Sequence, residues 1–142
     1  MKKMRLALIA LAVGMSGCVA TADTGLREFD LRKPIYEHHD TPIYMDLPTV
    51  QRRLYLHAQA CDIEYSFKKD PLPVHFATVR YGPAGATDLK DQVMLDLTAY
   101  ATGKLGVVGY SYYAKNAPLI SGVLQALAKP DRCPQGIPSK TK

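Results

Sequence analysis

The sequence predicts an α+β fold: a two-layer sandwich in which an antiparallel sheet of about four strands carries an N-terminal and a C-terminal helix on one face. Three observations predict it. "LPTVQRRLYLHAQAC" places apolar residues at steps of three and four, and so does "NAPLISGVLQALAKP" near the other end. Between them lie four stretches with the two-residue alternation or β-rich composition of strands. Two helical stripes and one sheet face bury one another when both helices pack on the same side, in the order α-β-β-β-β-α.

The first helix is expected over about Pro48 to Cys61. Pro48 suits the first turn, where its missing N–H costs nothing. Leu47, Val50, Leu54, Ala58 and Cys61 form its stripe, whereas Gln51, Arg52 and Gln59 fall elsewhere. "DIEYSFKK" alternates strictly, with Ile63, Tyr65 and Phe67 on one face. "KDPLP" is a turn, and "VHFATVRY", residues 74–81, is rich in β-branched and aromatic residues and reads as a second strand. The stretch "GPAGATD" breaks the chain.

The segment 89–100 fits two periods. Val93, Leu95, Leu97 and Ala99 alternate as in a strand, and Leu89, Val93, Leu97 and Tyr100 fit a helical stripe. A strand from about Gln92 is the choice that completes a hairpin, through a Thr102-Gly103 turn into "KLGVVGYSYY" with Val108, Tyr110 and Tyr112 on one face. Gly106 and Gly109 mark a weak strand, a bulge or the close approach of another element. In the last helix Asn116 is the expected cap, Pro118 lies in the first turn, and Ile120, Val123, Leu124 and Leu127 form the stripe before Pro130 ends it. Cys61 and Cys133 then stand at the two helix exits.

The 142-residue chain begins with Lys2, Lys3 and Arg5, an apolar run from Leu6 to Met15, and the small residues Ser16 and Gly17. That order is the secretory signal pattern. The run is about half of the roughly 20 apolar residues a spanning helix needs. "MSGC" then resembles the lipobox of bacterial lipoprotein precursors through Ser16, Gly17 and Cys18, with Met15 in place of the preferred Leu. The resemblance implies a diacylglyceryl thioether on Cys18, cleavage after Gly17, and an amide-linked acyl chain such as palmitate on the new amine. Val19, rather than Asp, implies by the same resemblance the periplasmic side of the outer membrane. The alternative is "ATA", Ala20 to Ala22, which offers an ordinary signal-peptidase site and a soluble periplasmic product.

Either route leaves Cys61 and Cys133 as the remaining pair, and in an oxidising compartment such a pair forms a disulfide. Closing so long a loop stabilises the fold by about 4 kcal/mol on the chain-entropy model. Loss of residues 1–17 leaves 125 residues and, with Lys2, Lys3 and Arg5 gone, lowers the formal charge from +5 to +2. The basic character is partly that of the signal peptide, and nucleic acid is not an expected partner. The resulting division is a signal peptide over 1–17, a lipidated cysteine and tether over 18–46, a globular domain over 47–134 and a disordered basic tail over 135–142. A tether of that length, as a coil, spans roughly 30 Å. Within it "PIYEHHD" and "PIYMDLP" form a near-repeat whose extended pieces are expected to dock on the domain's own sheet. The layout of tether, helix ending in Cys, strands and helix ending near Cys is similar to that of small proteobacterial envelope lipoproteins.

The motifs with chemical potential are few. "EHHD" supplies His38, His39 and Asp40 as a candidate metal site, although neighbouring residues of an extended segment point to opposite sides. His57 and His75 have no nucleophile or carboxylate at a recognisable spacing and read as boundary residues. Ser111 in "GYSYY" is not on a nucleophile elbow. No catalytic residue and no cofactor is expected. Nine tyrosines and no tryptophan leave an aromatic surface at Tyr110, Tyr112 and Tyr113 as the candidate partner site. The reading is a non-enzymatic accessory or interaction protein of the cell envelope, with a periplasmic small-ligand or metal-binding module as the alternative.

Overall fold

The computed structural model describes residues 25–72 and 75–134. Cys18, the signal peptide and the tail from 135 lie outside the described residues. Along the chain run helix α1 (Glu28–Leu31), a 3₁₀ turn at Pro34–Tyr36, strand β1 (Glu37–Asp40) and helix α2 (Leu47–Cys61). Strands β2 (Ser66–Lys69) and β3 (Phe76–Tyr81) follow, then a 3₁₀ turn at Leu89–Asp91. β4 (Val93–Ala99), β5 (Leu105–Ser111), a third 3₁₀ turn at Ala114–Asn116 and helix α3 (Pro118–Ala128) complete it. The fold is α+β, with one antiparallel sheet in the order β1-β5-β4-β3-β2 and helices α2 and α3 packed together.

Alternation along the strands separates two faces. Val79 of β3, Val93, Leu95 and Leu97 of β4, and Leu105 and Val107 of β5 point one way and are fully buried. They meet Val50 and Leu54 of α2 and Ile120, Val123 and Leu127 of α3. At Gly109 α3 approaches the sheet closely: a Cβ there would stand 2.8 Å from the Cγ2 of Ile120. Close approach is therefore one reading the packing bears out for Gly109, and the register shift of β1 lies directly opposite it.

Helix α2 begins as a capped helix should. The Asp46 carboxylate accepts from the Thr49 amide at 2.8 Å, and that bond holds its carboxyl below the usual carboxylate range. The helix ends at Asp62, whose φ of 55° is the left-handed conformation common after helices and tolerated by Asp. α3 departs from expectation. Asn116 is not its cap; Asn116 belongs to the preceding 3₁₀ turn and its amide lies 3.4 Å from the Lys90 carbonyl. Pro118 opens the helix after Ala117, and the Arg53 guanidinium closes it by donating to the Leu127 carbonyl at 2.6 Å. A cation is favoured at that end, where unpaired carbonyls gather.

Two differences from expectation and one expectation borne out concern the sheet. It has five strands, because "EHHD" is β1 and pairs with β5. Segment 89–100 is a strand preceded by a single 3₁₀ turn, as the hairpin required. The hairpin loop is the three residues Ala101 to Gly103: Tyr100 and Lys104 close it, and Gly103 takes the left-handed position at φ 74°.

The described part of the expected tether is not a tether. Leu26 and Leu31 pack on the face of the sheet opposite to α2 and α3, with Leu89, Met94 and Tyr110. Ile43 exchanges both backbone hydrogen bonds with Leu105 at 2.8 Å, so the second Pro-Ile-Tyr unit docks extended on the sheet while the first folds into a 3₁₀ turn. The physical reason is that β4 and β5 expose apolar residues on both faces, and Met94 and Tyr110 need a cover of their own.

Candidate functional site

Helices α2 and α3 cover the central strands on one face of the sheet; the N-terminal segment covers only half of the other, here called the outer face. Its side chains come from the alternate register: Phe76, Thr78 and Arg80 of β3, Met94, Asp96 and Thr98 of β4, and Gly106, Val108 and Tyr110 of β5. The half containing Met94 and Tyr110 lies under α1. The half containing Phe76, Thr98 and Gly106 is open.

The boundary between the halves is a polar clamp. The Arg32 guanidinium donates through Nε to Asp96 Oδ2 at 2.6 Å and through Nη2 to Asp96 Oδ1 at 3.0 Å, a bidentate pair. Thr78 donates its hydroxyl to the same Oδ1 at 3.0 Å and accepts from Arg32 Nη2 at 3.3 Å. Glu28 adds ion pairs to Arg80 at 3.6 Å and to Arg32 at 3.9 Å. Hydrogen bonding to Asp96 raises the Arg32 pKa, so the guanidinium is charged at all relevant pH values. Burial, with Asp96 and Glu37 nearby, pushes the Tyr110 hydroxyl up and keeps it neutral.

Beyond the clamp the open half forms a shallow cleft of ≈ 470 Å³ that reaches Lys68, Asp70, Phe76 and Thr98. Phe76 is 40% exposed and Tyr100 55% exposed, and the Tyr100 ring lies over Gly106, where a Cβ would stand 2.9 Å from the tyrosine oxygen. Two aromatic rings therefore flank Thr98 on a flat, hydrogen-bonded base. Both sheet edges carry charge, Glu37 and Asp40 on β1 and Lys68 and Lys69 on β2, which disfavours strand addition and leaves the face as the contact surface.

The residues singled out in the sequence have different fates. Cys61 and Cys133 form a disulfide, with Cα atoms 5.3 Å apart. A disulfide is the mark of an extracytoplasmic domain, and no helix among the described residues is long and apolar enough to cross a membrane. His38, His39 and Asp40 are not brought together: a register shift falls between Glu37 and His39, the His38 Nε2 lies 3.2 Å from the Ser111 carbonyl, and His39 turns towards Gly109 with its Nε2 buried. Among the described residues no group of three His, Cys, Asp or Glu side chains converges on a point where a metal ion fits.

Tyr110 is largely buried in the second core, contrary to expectation, and keeps only a small part of its surface at the edge of the cleft. Tyr112 and Tyr113 do reach the surface, with ring centroids 4.9 Å apart. His57 is a core residue, only 2% exposed, not a boundary one. Its Nε2 faces the Arg132 carbonyl at 3.2 Å and its Nδ1 faces the Tyr65 hydroxyl at 2.9 Å. A carbonyl only accepts, so Nε2 carries the proton and Nδ1 accepts from Tyr65. Burial lowers the His57 pKa and raises that of Tyr65, which keeps both neutral. The Ser111 hydroxyl donates to the Tyr113 carbonyl at 2.7 Å, and His75 is exposed at the start of β3.

No protein-family model, curated protein or solved structure matches the chain.

Sequence reasoning missed the clamp and Phe76. One signal for the clamp was present: Asp96 interrupts the apolar run "VMLDLTA", and a carboxylate at the centre of a central strand calls for a cation wherever that face is covered. Nothing local named Arg32 as that cation, 64 positions earlier.

Proposed function

We propose that the protein is a lipid-anchored, non-catalytic accessory protein of the cell envelope, held by acylated Cys18 on the periplasmic side of the outer membrane. The open half of its outer face receives a protein partner. The observation that carries the reading is that half-covered face: a five-stranded sheet, backed by a closed core and a disulfide, displays Phe76 beside Lys68 and Asp70 and displays Tyr100 over Gly106. Aromatic rings with polar neighbours are the composition of interaction hot spots. Of the three side chains that sequence weighed for acid–base or nucleophilic work, His57 and Ser111 spend their hydrogen bonds on holding the chain together, and His75 stands exposed at the start of β3.

The cleft favours a second reading, a small-ligand module, since its size falls within the range of ligand sites. Arg32 and Asp96 neutralise each other there, so an uncharged ligand suits it better than an ion.

Two measurements test the proposal. Mass spectrometry of the mature protein is expected to show an N-terminal Cys18 carrying acyl mass; an unacylated N-terminus at Asp23 refutes the anchor. Affinity purification from solubilised envelopes is expected to recover a stoichiometric partner with the wild-type chain and to lose it with Phe76→Ala/Tyr100→Ala. No partner, together with a small molecule retained through purification, favours the ligand module.

A further inference from the structure

If Cys18 carries the lipid, as proposed above, the domain hangs on a much shorter tether than the 18–46 division implied. By Leu26 the chain is packed on the domain, so the tether has at most the seven Cα-to-Cα steps from Cys18 to Gly25. Fully extended they reach roughly 25 Å, and as a coil roughly 15 Å. A domain of this size is on the order of 35 Å across. The tether is shorter than the domain is wide, so only the end where the chain enters can face the bilayer.

That end is defined. Gly25 and Leu26 border a small cavity with Thr87, Asp88 and Leu89, and Leu26, Tyr36 and Tyr112 pack against the same second core that contains Leu89. From there the surface is continuous. Lys90, next to Leu89, places its Nζ 5.7 Å from the Tyr112 ring. Tyr112 stacks on Tyr36 at 5.1 Å and meets Tyr113 edge-on, and the Lys115 Nζ lies 5.1 Å above the Tyr113 ring. Ile35, beside Tyr36, is 78% exposed.

Three tyrosines flanked by two lysines and an exposed isoleucine have the chemistry of a bilayer interface. Tyrosine rings sit at headgroup level with hydroxyls in water, and lysine stems lie on apolar surface while their ammonium groups stay solvated. We propose that the Tyr36–Tyr112–Tyr113 cluster, with Ile35, Lys90 and Lys115, rests on the membrane surface beside the anchor. Asp88 and Asp91 flank Lys90 and offset its charge, so the contact is interfacial rather than a response to anionic headgroups. The open half of the outer face, at the opposite ends of β3, β4 and β5, then points away from the bilayer.

The absence of tryptophan makes a direct test available. Full-length lipidated Ile35→Trp is reconstituted into phosphatidylcholine vesicles containing acyl-brominated lipid, and Tyr55→Trp, on the exposed side of α2, serves as the control. Tryptophan at 35 is expected to shift to the blue and lose most of its emission; tryptophan at 55 is expected to keep its emission. Replacing half the lipid by phosphatidylglycerol, or raising salt, is expected to change neither. Acyl mass with no quenching at 35, or equal quenching at both positions, overturns the docking while leaving the anchor. A product with no acyl mass overturns both. Quenching that appears only with phosphatidylglycerol overturns the interfacial contact in favour of charge recognition.

Discussion

The two faces of the sheet are built on different principles. The helix face is covered by α2 and α3 through interdigitated aliphatic side chains, and its outer end is tied by the disulfide and by His57. The outer face is covered by a short segment held by the Arg32–Asp96 pair, the Glu28 ion pairs, the pairing of β1 with β5 and a few apolar contacts around Leu31. Apolar packing over a wide area makes a cooperative unit, whereas a cover held by fewer and more polar contacts is expected to open at lower cost. The first face therefore secures the domain, and the second is free to carry a function.

Breaking the helix face gives the largest effect. Leu95 is fully buried between the helices and the sheet, and Leu95→Ala is expected to cost about 3 kcal/mol by chemical denaturation. Cys61→Ser/Cys133→Ser comes close behind, at about 2–4 kcal/mol, and reducing agent should reproduce the loss in the wild type. Both transitions should stay two-state, since the whole core is involved. Separate melting of α2 and α3 would contradict the account of this face.

Breaking the outer face should cost less and act locally. Asp96→Ala removes the acceptor for Arg32 and Thr78 in a site that is partly exposed, and about 1–2 kcal/mol is expected. The informative readout is hydrogen exchange. The Thr41 and Ile43 amides, bonded to the Val107 and Leu105 carbonyls, should lose protection together with β1, while α2 and α3 keep theirs. Uniform loss throughout the domain would erase the distinction between the faces.

The smallest effect is on pH dependence, and it belongs to the helix face. His57 titrates at about 6.5 when unfolded and lower in the fold, because burial disfavours its charged form. The unfolded chain then binds the proton more readily, so the stability His57 contributes is present above pH 6.5 and is lost as pH falls through the folded value. Denaturation midpoints should drop over that window in the wild type and drop less in His57→Gln. A midpoint that rises on acidification would invert the assignment of Nδ1 as an acceptor.

Legibility in the sequence follows the same division. Helices α2 and α3 and strands β2 to β5 were readable because local period reports burial when an element has one buried face, and the cysteines marked the two helix exits. Docking of the near-repeat on the domain's own sheet was readable, and β1 and the Ile43 bridge bear it out, but the register of β1 and the N-terminal cover of the outer face were not. "EHHD" has no apolar alternation, and its strand exists because β5 presents an unpaired edge. Tyr110 was placed on the correct face, but period alone does not tell whether that face is covered. Arg32 is recognisable as a functional cation only through Asp96, a contact between residues 64 positions apart. The readable parts were local; the candidate site is assembled from long-range contacts.

Site-specific photo-cross-linking in intact envelopes tests the central claim most directly, that the outer face is the working face and the helix face is not. A photoreactive side chain at Phe76 or Tyr100 is expected to give one discrete cross-linked product, and the same group at Tyr55 or Leu56 on α2 none. Cross-links confined to α2, or equal at both faces, would contradict it.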